Sequence, residues 1–222
     1  MRSYSQICGV AKGLDLIGDR WTLLIVRELL IRGACRYTDL RKGLPGIATN
    51  LLAQRLRELE DAGIVYSEDA PPPVATTLFR LTERGLALES VLKAIGDWAR
   101  PQLAQVDERD AFQIHWLVLP LRFYVQDAEP NASPVRIQLE TDDEPVAIEA
   151  GEGAVAAWIG RLGDPDLVLS GPARVIGRLM LGRIDLAEAR KLGVKAEGDL
   201  AVLRRLRVRD PEDAEPVQLA AR

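Results

Sequence analysis

The tetrapeptide Gly43-Leu44-Pro45-Gly46, set between two amphipathic stretches, constrains this chain more than any other feature. Gly and Pro in that arrangement cannot continue a helix, so the chain turns between a short helix expected at Thr38–Lys42 and a longer one expected from Thr49 to Ala62. On the longer one, Leu52, Leu56 and Leu59 share one side and Gly63 supplies the stop. Two helices around a tight turn, the second with a polar face, outline a helix-turn-helix. Upstream, Val10, Leu14 and Ile17 repeat at helical spacing as far as Gly18. Asp19 is placed to cap a second helix with the stripe Trp21, Leu24, Ile25 and Leu29, ended by Gly33. Downstream, Ile64-Val65-Tyr66 and Thr77–Leu81 read as strands joined by a loop containing Pro71-Pro72-Pro73, a hairpin that forms a wing. Thr82 is placed to cap one helix with the stripe Leu88, Val91, Leu92, Ile95, Trp98 and Leu103. That stripe exceeds what so small a domain needs, which points to a helix shared with a second subunit; packing against the downstream domain is the alternative.

Charge divides the 222 residues unevenly. The whole chain carries −4, yet residues 1–57 hold 10 Lys/Arg against 4 Asp/Glu, a local +6, and residues 107–222 hold 15 against 21, a local −6. A basic front with an acidic rear restricts contact with a polyanion to the front. Two cysteines, Cys8 and Cys35, are too few for a disulfide scaffold or a zinc ribbon. No run of about 20 apolar residues offers a membrane span, and the polar start lacks a signal-peptide core. A cytoplasmic protein with free thiols, no metal, no cofactor and no membrane contact is expected.

Projected at 100° per residue, the helix from Thr49 places Asn50, Gln54 and Arg57 nearly opposite its leucines, with Ala53 beside them. Asn and Gln amides can bond adenine bidentately in the major groove, and Arg does the same for guanine. Arg36, Arg41, Lys42 and Arg55 stand around them, suited to phosphate contacts that set register; Thr49 opens the helix. An ordinary solvated helix face would show the same residue types, but the hairpin and the local basic excess favour double-stranded DNA.

The run Cys8-Gly-Val-Ala-Lys-Gly-Leu-Asp-Leu-Ile-Gly-Asp-Arg-Trp-Thr-Leu-Leu-Ile-Val-Arg-Glu-Leu-Leu30 resembles the opening of HxlR-type winged-helix transcriptional regulators. The likeness continues through Arg36-Tyr37-Thr38-Asp39-Leu40, Leu44-Pro45-Gly46-Ile47, Leu52-Ala-Gln-Arg-Leu-Arg-Glu-Leu-Glu60, Leu81-Thr82-Glu83-Arg84-Gly85 and Trp98, covering roughly residues 6–103. It implies a homodimer on an operator with inverted half-sites. Ala48 stands where the family usually has Ser, so the cap of the polar-faced helix moves to Thr49 or is lost. Ala53 replaces a frequent Ser or Thr, and Glu68 and Asp69 make the wing acidic where basic residues are common. Some members sense oxidants or electrophiles with a cysteine at the place of Cys8, which requires an exposed thiol of lowered pKa. Lys12, one turn along, is the candidate helper, Gly9 and Val10 offering nothing; a small packing residue is the plainer reading.

The charged connector Asp107–Asp110 divides a domain at 1–106 from another at 107–209, followed by an acidic, proline-containing tail at 210–222 expected to fray. Residues 111–125 form an apolar run, expected helical and interrupted by Pro120. Val135, Ile137 and Leu139 alternate with Arg136, Gln138 and Glu140 as in a half-buried strand. Val146–Glu149, Ala154–Ile159 and Asp166–Ser170 continue as a meander, and helices follow: one after Pro172, one capped by Asp185, one from Asp199 with Leu200, Leu203 and Leu206. The fold class is α+β, a winged helix followed by an antiparallel sheet covered by helices. No catalytic constellation is present: His115 is alone in its apolar run, and Gly151-Glu-Gly153 reads as a turn. Enzymatic activity is not expected.

Asp164-Pro-Asp-Leu-Val-Leu-Ser-Gly171, the helix ending Leu181-Gly182-Arg183, and Gly193-Val-Lys-Ala-Glu-Gly-Asp199-Leu200 resemble the C-terminal half of sterol-carrier-protein (SCP-type) domains, within residues 111–208. That likeness implies a sheet and helices enclosing an apolar tunnel for a lipid-like ligand. Trp116, Trp158, Ile176, Leu179 and Met180 are its candidate lining; a dry core is the alternative. Three functions follow: a dimeric DNA-binding regulator sensing an apolar ligand, a lipid carrier whose winged helix only dimerises, and a regulator switched through Cys8.

Overall fold

The chain divides into two units after Ala111. They are described here from a computed structural model covering residues 3–71, 76–105, 107 and 109–209. The tail at 210–222, most of the proline loop and part of the connector lie outside the described residues.

In the first unit, α1 (Gly9–Ile17) stops at Gly18 and α2 (Thr22–Arg32) at Gly33. Asp19 does not cap α2; the helix opens from Trp21, whose φ of 77° marks a left-handed corner. The buried stripe of α2 is Thr22, Ile25, Val26, Glu28, Leu29 and Ile31, and Leu24 is exposed instead. A short strand β1 (Cys35–Arg36) precedes α3 (Tyr37–Gly43), and α4 spans Thr49–Asp61. Gly46 turns the chain between α3 and α4 at φ 90°, a value L side chains avoid. Gly43 is required for a different reason: a methyl there would meet the carboxylate of Glu28. Glu28 is fully buried, paired to Arg27 at 2.8 Å and Arg32 at 3.3 Å. The polar-faced helix has lost its side-chain cap, since its N-cap is Ala48 and Thr49 lies inside the first turn.

The hairpin forms as β2 (Val65–Asp69) and β3 (Thr77–Leu81), with β1 completing a three-stranded sheet in the order β1-β3-β2. Thr82 accepts from the Gly85 N–H at 3.1 Å, but the helix it caps is the single turn α5 (Glu83–Leu86). The long helix expected through Leu103 is divided: α6 runs Leu88–Ala99, and Leu103 falls in a 3-10 segment, Arg100–Gln105. Leu88 and Leu92 pack on the core of Ile25, Leu29, Leu52, Leu56 and Leu81.

In the second unit a 3-10 turn (Ile114–Leu117) leads into α7 (Val118–Tyr124), whose first turn holds Pro120 without a break because no helical N–H is needed there. The five-stranded sheet combines β5 (Val135–Glu140), β6 (Val146–Gly151), β7 (Ala154–Ile159), β8 (Leu167–Ser170) and β9 (Lys195–Gly198) in the order β7-β6-β5-β8-β9. It is not a plain meander, and it is not wholly antiparallel: β8 crosses over to pair parallel with β5, Ile137 beside Leu167 and Leu139 beside Leu169. Gln138 does not face solvent. It is 3% exposed; its amide donates to the carbonyls of Val146 (3.1 Å) and Gly160 (3.2 Å) and accepts from the Leu162 N–H at 2.8 Å.

Helices α8 (Ala173–Met180) and α9 (Leu186–Lys191) follow, the latter capped by Asp185, which accepts from the Glu188 N–H at 2.7 Å. The third helix expected from Asp199 is a 3-10 turn, Leu200–Arg205, and Leu206 starts strand β10 (Leu206–Val208). β10 pairs antiparallel with β4 (Val125–Asp127). Arg205 grips Asp127 there at 2.6 and 3.0 Å and also donates to the carbonyls of Ser133 and Glu129.

Candidate nucleic-acid interface

Leu52, Leu56 and Leu59 anchor α4 in the first unit's core, which turns Asn50, Gln54 and Arg57 outward into solvent. Tyr37 fixes the start of α4 against the start of α3, its hydroxyl donating to the Thr49 carbonyl at 2.6 Å. Arg36 on β1, Arg41 and Lys42 at the end of α3, and Thr49 are all exposed on the same unit.

Arg55 departs from its expected role. Only 13% of its side chain is exposed, and it spans from α4 to the loop before α2, bonding Asp19 at 3.0 Å, the Arg20 carbonyl at 3.3 Å, and Glu58. Those partners compete with any phosphate for its guanidinium. Gln54 is engaged as well, donating from Nε2 to Glu58 Oε1 at 2.9 Å. On the wing, Arg80 holds Glu68 at 2.5 Å and Thr77 donates to Asp69 at 2.9 Å, so part of its acidity is answered locally. Sequence reasoning missed both Arg80 and the Arg27–Glu28–Arg32 cluster beneath α3. Arg80 was signalled only by pairing register, which sets it opposite Tyr66 and diagonal to Glu68, two residues along the strand.

Among the described residues, two apolar faces of this unit are exposed. Along α6, Ser90, Val91, Ala94, Ile95 and Trp98 line a shallow groove of about 490 Å³, with Trp98 79% exposed. The stripe expected at a subunit seam therefore splits, because Leu88 and Leu92 are spent on the unit's own core. Ile7, just before α1, and Val10 and Leu14 on it are exposed rather than packed. Cys8 is exposed at the start of α1, where the backbone N–H groups of Ala11 and Val10 hold its thiol below the ordinary value. The helper is thus the helix start and not Lys12, which pairs with Asp15 at 3.5 Å. Cys35 is buried.

The five candidate lining residues of the second unit fall on three elements, α8, the 3-10 turn Ile114–Leu117 and β7. Ile176 and Met180 are buried and Leu179 and Trp116 half-buried. Trp158 points to the face of β7 opposite Val155 and Ala157, paired with Ala147 and not with the core row of Ile148. Among the described residues no group of three or more His, Cys, Asp or Glu is placed to hold a metal ion, and no helix is long and apolar enough to cross a membrane.

Residues 16–107 match the HxlR-like helix-turn-helix family. The uncharacterized HTH-type transcriptional regulator YvaP of Bacillus subtilis (strain 168) is 35% identical over 96 residues, which are 43% of this chain and 88% of that protein. The HTH-type transcriptional regulator YodB of the same organism is 36% identical over 85 residues, 38% of this chain and 75% of its own. A solved structure of YodB in its reduced form is 31% identical and covers 46% of this chain and all of that one, with a TM-score of 0.40. Through its helix-turn-helix half, the chain belongs to the HxlR-like family of HTH-type transcriptional regulators.

Proposed function

We propose that the protein is a homodimeric, sequence-specific DNA-binding transcriptional regulator in which α4 enters the major groove. One observation carries the reading: the face of α4 turned away from the core holds Asn50, Gln54 and Arg57, with exposed Arg36, Arg41 and Lys42 on the same unit. The first group is chemically suited to base edges and the second to phosphates. Dimerisation is supported by the uncovered groove on α6 and the uncovered face of α1. A two-fold dimer on inverted half-sites would set its two copies of α4 about 34 Å apart.

The second unit is proposed as the sensor. Helix α8, with Ile176 and Met180 turned inward, is the element an apolar ligand would contact, with Leu179 and Trp116 at the margin. For regulation, such a ligand must bind the DNA-competent and DNA-incompetent states unequally. Cys8, exposed and of lowered pKa, is a compatible second trigger. No catalytic role is proposed. The deciding experiment selects genomic duplexes with the purified protein at several salt concentrations, with and without fatty-acid-like compounds. A steep loss of affinity with salt and a recurring inverted motif support the regulator. Retention of apolar compounds without any duplex affinity would instead leave a carrier whose winged helix only dimerises.

A further inference from the structure

The inference rests on the reading of α4 as a base-reading helix and concerns how Gln54 is aimed. A glutamine amide has two orientations of nearly equal shape that read opposite groups. With the carbonyl forward it accepts from a base amino group; with the NH₂ forward it donates to guanine O6 or N7. Something must choose between them if the position is to discriminate.

One turn after Gln54, Glu58 accepts the Gln54 Nε2–H on Oε1 at 2.9 Å. Its other oxygen, Oε2, accepts from Nη1 of Arg55. Arg55 is itself tied outside the helix, to Asp19 Oδ2 at 3.0 Å and through Nε to the Arg20 carbonyl at 3.3 Å. The carboxylate is therefore held on one oxygen by a cation with an independent anchor and meets Gln54 with the other. Burial pushes the Glu58 carboxyl up, but the hydrogen bonds from Gln54 and Arg55 outweigh it and hold the group below the usual range. An ionised carboxylate only accepts, so Gln54 can meet it only through its NH₂, and the amide carbonyl faces away.

We propose that Glu58 is a specificity-determining positioning residue. Anchored by Arg55, it fixes the Gln54 amide so that the carbonyl, with the second N–H beside it, is offered to the base. The base so read carries an amino donor next to an N7 acceptor, which is adenine. Guanine presents two acceptors there and is refused, both by the fixed carbonyl and by the nearby carboxylate charge.

The test uses the full-length protein and duplexes varied at each operator position in turn, comparing wild type with Gln54→Ala, Glu58→Gln, Glu58→Ala and the double variant Gln54→Ala/Glu58→Gln. The position read by Gln54 is the one whose preference Gln54→Ala abolishes. There, wild type should prefer adenine over guanine, and both Glu58 variants should still bind DNA while that ratio falls roughly tenfold. In the Gln54→Ala background, Glu58→Gln should change nothing at that position, which a merely structural role would not produce. A wild-type ratio kept by both Glu58 variants, or a guanine preference in wild type, overturns the inference while leaving Gln54 a base reader. A preference that Gln54→Ala leaves intact at every position overturns the reading of Gln54, and the inference with it.

Discussion

Asp127 and Arg205, 78 positions apart, close the second unit with one bidentate pair, and both side chains are almost wholly buried. The Arg205 hydrogen bonds hold the Asp127 carboxyl down at about 2 against an ordinary 3.8, despite its burial. Because the folded value lies below the unfolded one, the stabilisation is complete above the ordinary carboxylate range and is lost as pH falls through the folded value. It amounts to about 2 kcal/mol. Acid denaturation followed by circular dichroism should therefore lose a component in Asp127→Asn; an unchanged acid limb would sink the assignment. Arg205→Met leaves a buried carboxylate without its cation and should cost about 3–5 kcal/mol in urea unfolding. Neither partner was legible as a pair, since nothing local links them. Glu28 was more nearly so: it lies three residues after Ile25 and beside Leu29, within the apolar arc of α2, where solvent is the wrong default for a charge.

Helix α6 packs one side on the core and leaves another in an open groove, proposed as the dimer seam, and single substitutions separate the two. Leu92→Asp places a charge against the subunit's own core and should lower the melting temperature sharply. Ile95→Asp falls in the open groove and should leave melting nearly unchanged while giving a monomer in light scattering and abolishing operator binding. Loss of fold in both, or a dimer in both, would refute that division. At the head of α4, Ala48 already has the extended backbone of an N-cap, φ −71° and ψ 139°, but no side-chain oxygen. Ala48→Ser should add about 1 kcal/mol to stability by chemical denaturation. The helices of the first unit were readable because Gly18, Gly33, Gly46 and Gly63 punctuate strong 3.6-residue patterns. β1, β4, β9 and β10 were not, being two to four residues long, too short for alternation to register. Along the candidate site, periodicity exposed Asn50, Gln54 and Arg57, but it could not show that Arg55 would turn back to Asp19.

Over the whole molecule, charge and fold follow the same division, with the basic excess in the helix-turn-helix half. Arg41→Ala removes one exposed cation and should weaken binding to every duplex alike, reducing the slope of log affinity against log salt by about one unit. Sequence-selective weakening would instead make Arg41 a base reader. Composition revealed this asymmetry at once, whereas the sheet order stayed hidden because a parallel crossover and a hairpin leave similar apolar runs in the sequence. The crossover also bears on how the second unit is made. β5, β6 and β7 are consecutive and can pair as soon as they leave the ribosome, but the remaining edge of β5 is satisfied only when β8 has been synthesised and has crossed over. Until then that edge presents unpaired backbone between Val135, Ile137 and Leu139, a template for another nascent copy. Chains stalled or cleaved before Leu167 are thus the form of this protein most exposed to aggregation, and the buried amide of Gln138 cannot secure the crossover until Leu162 arrives to meet it.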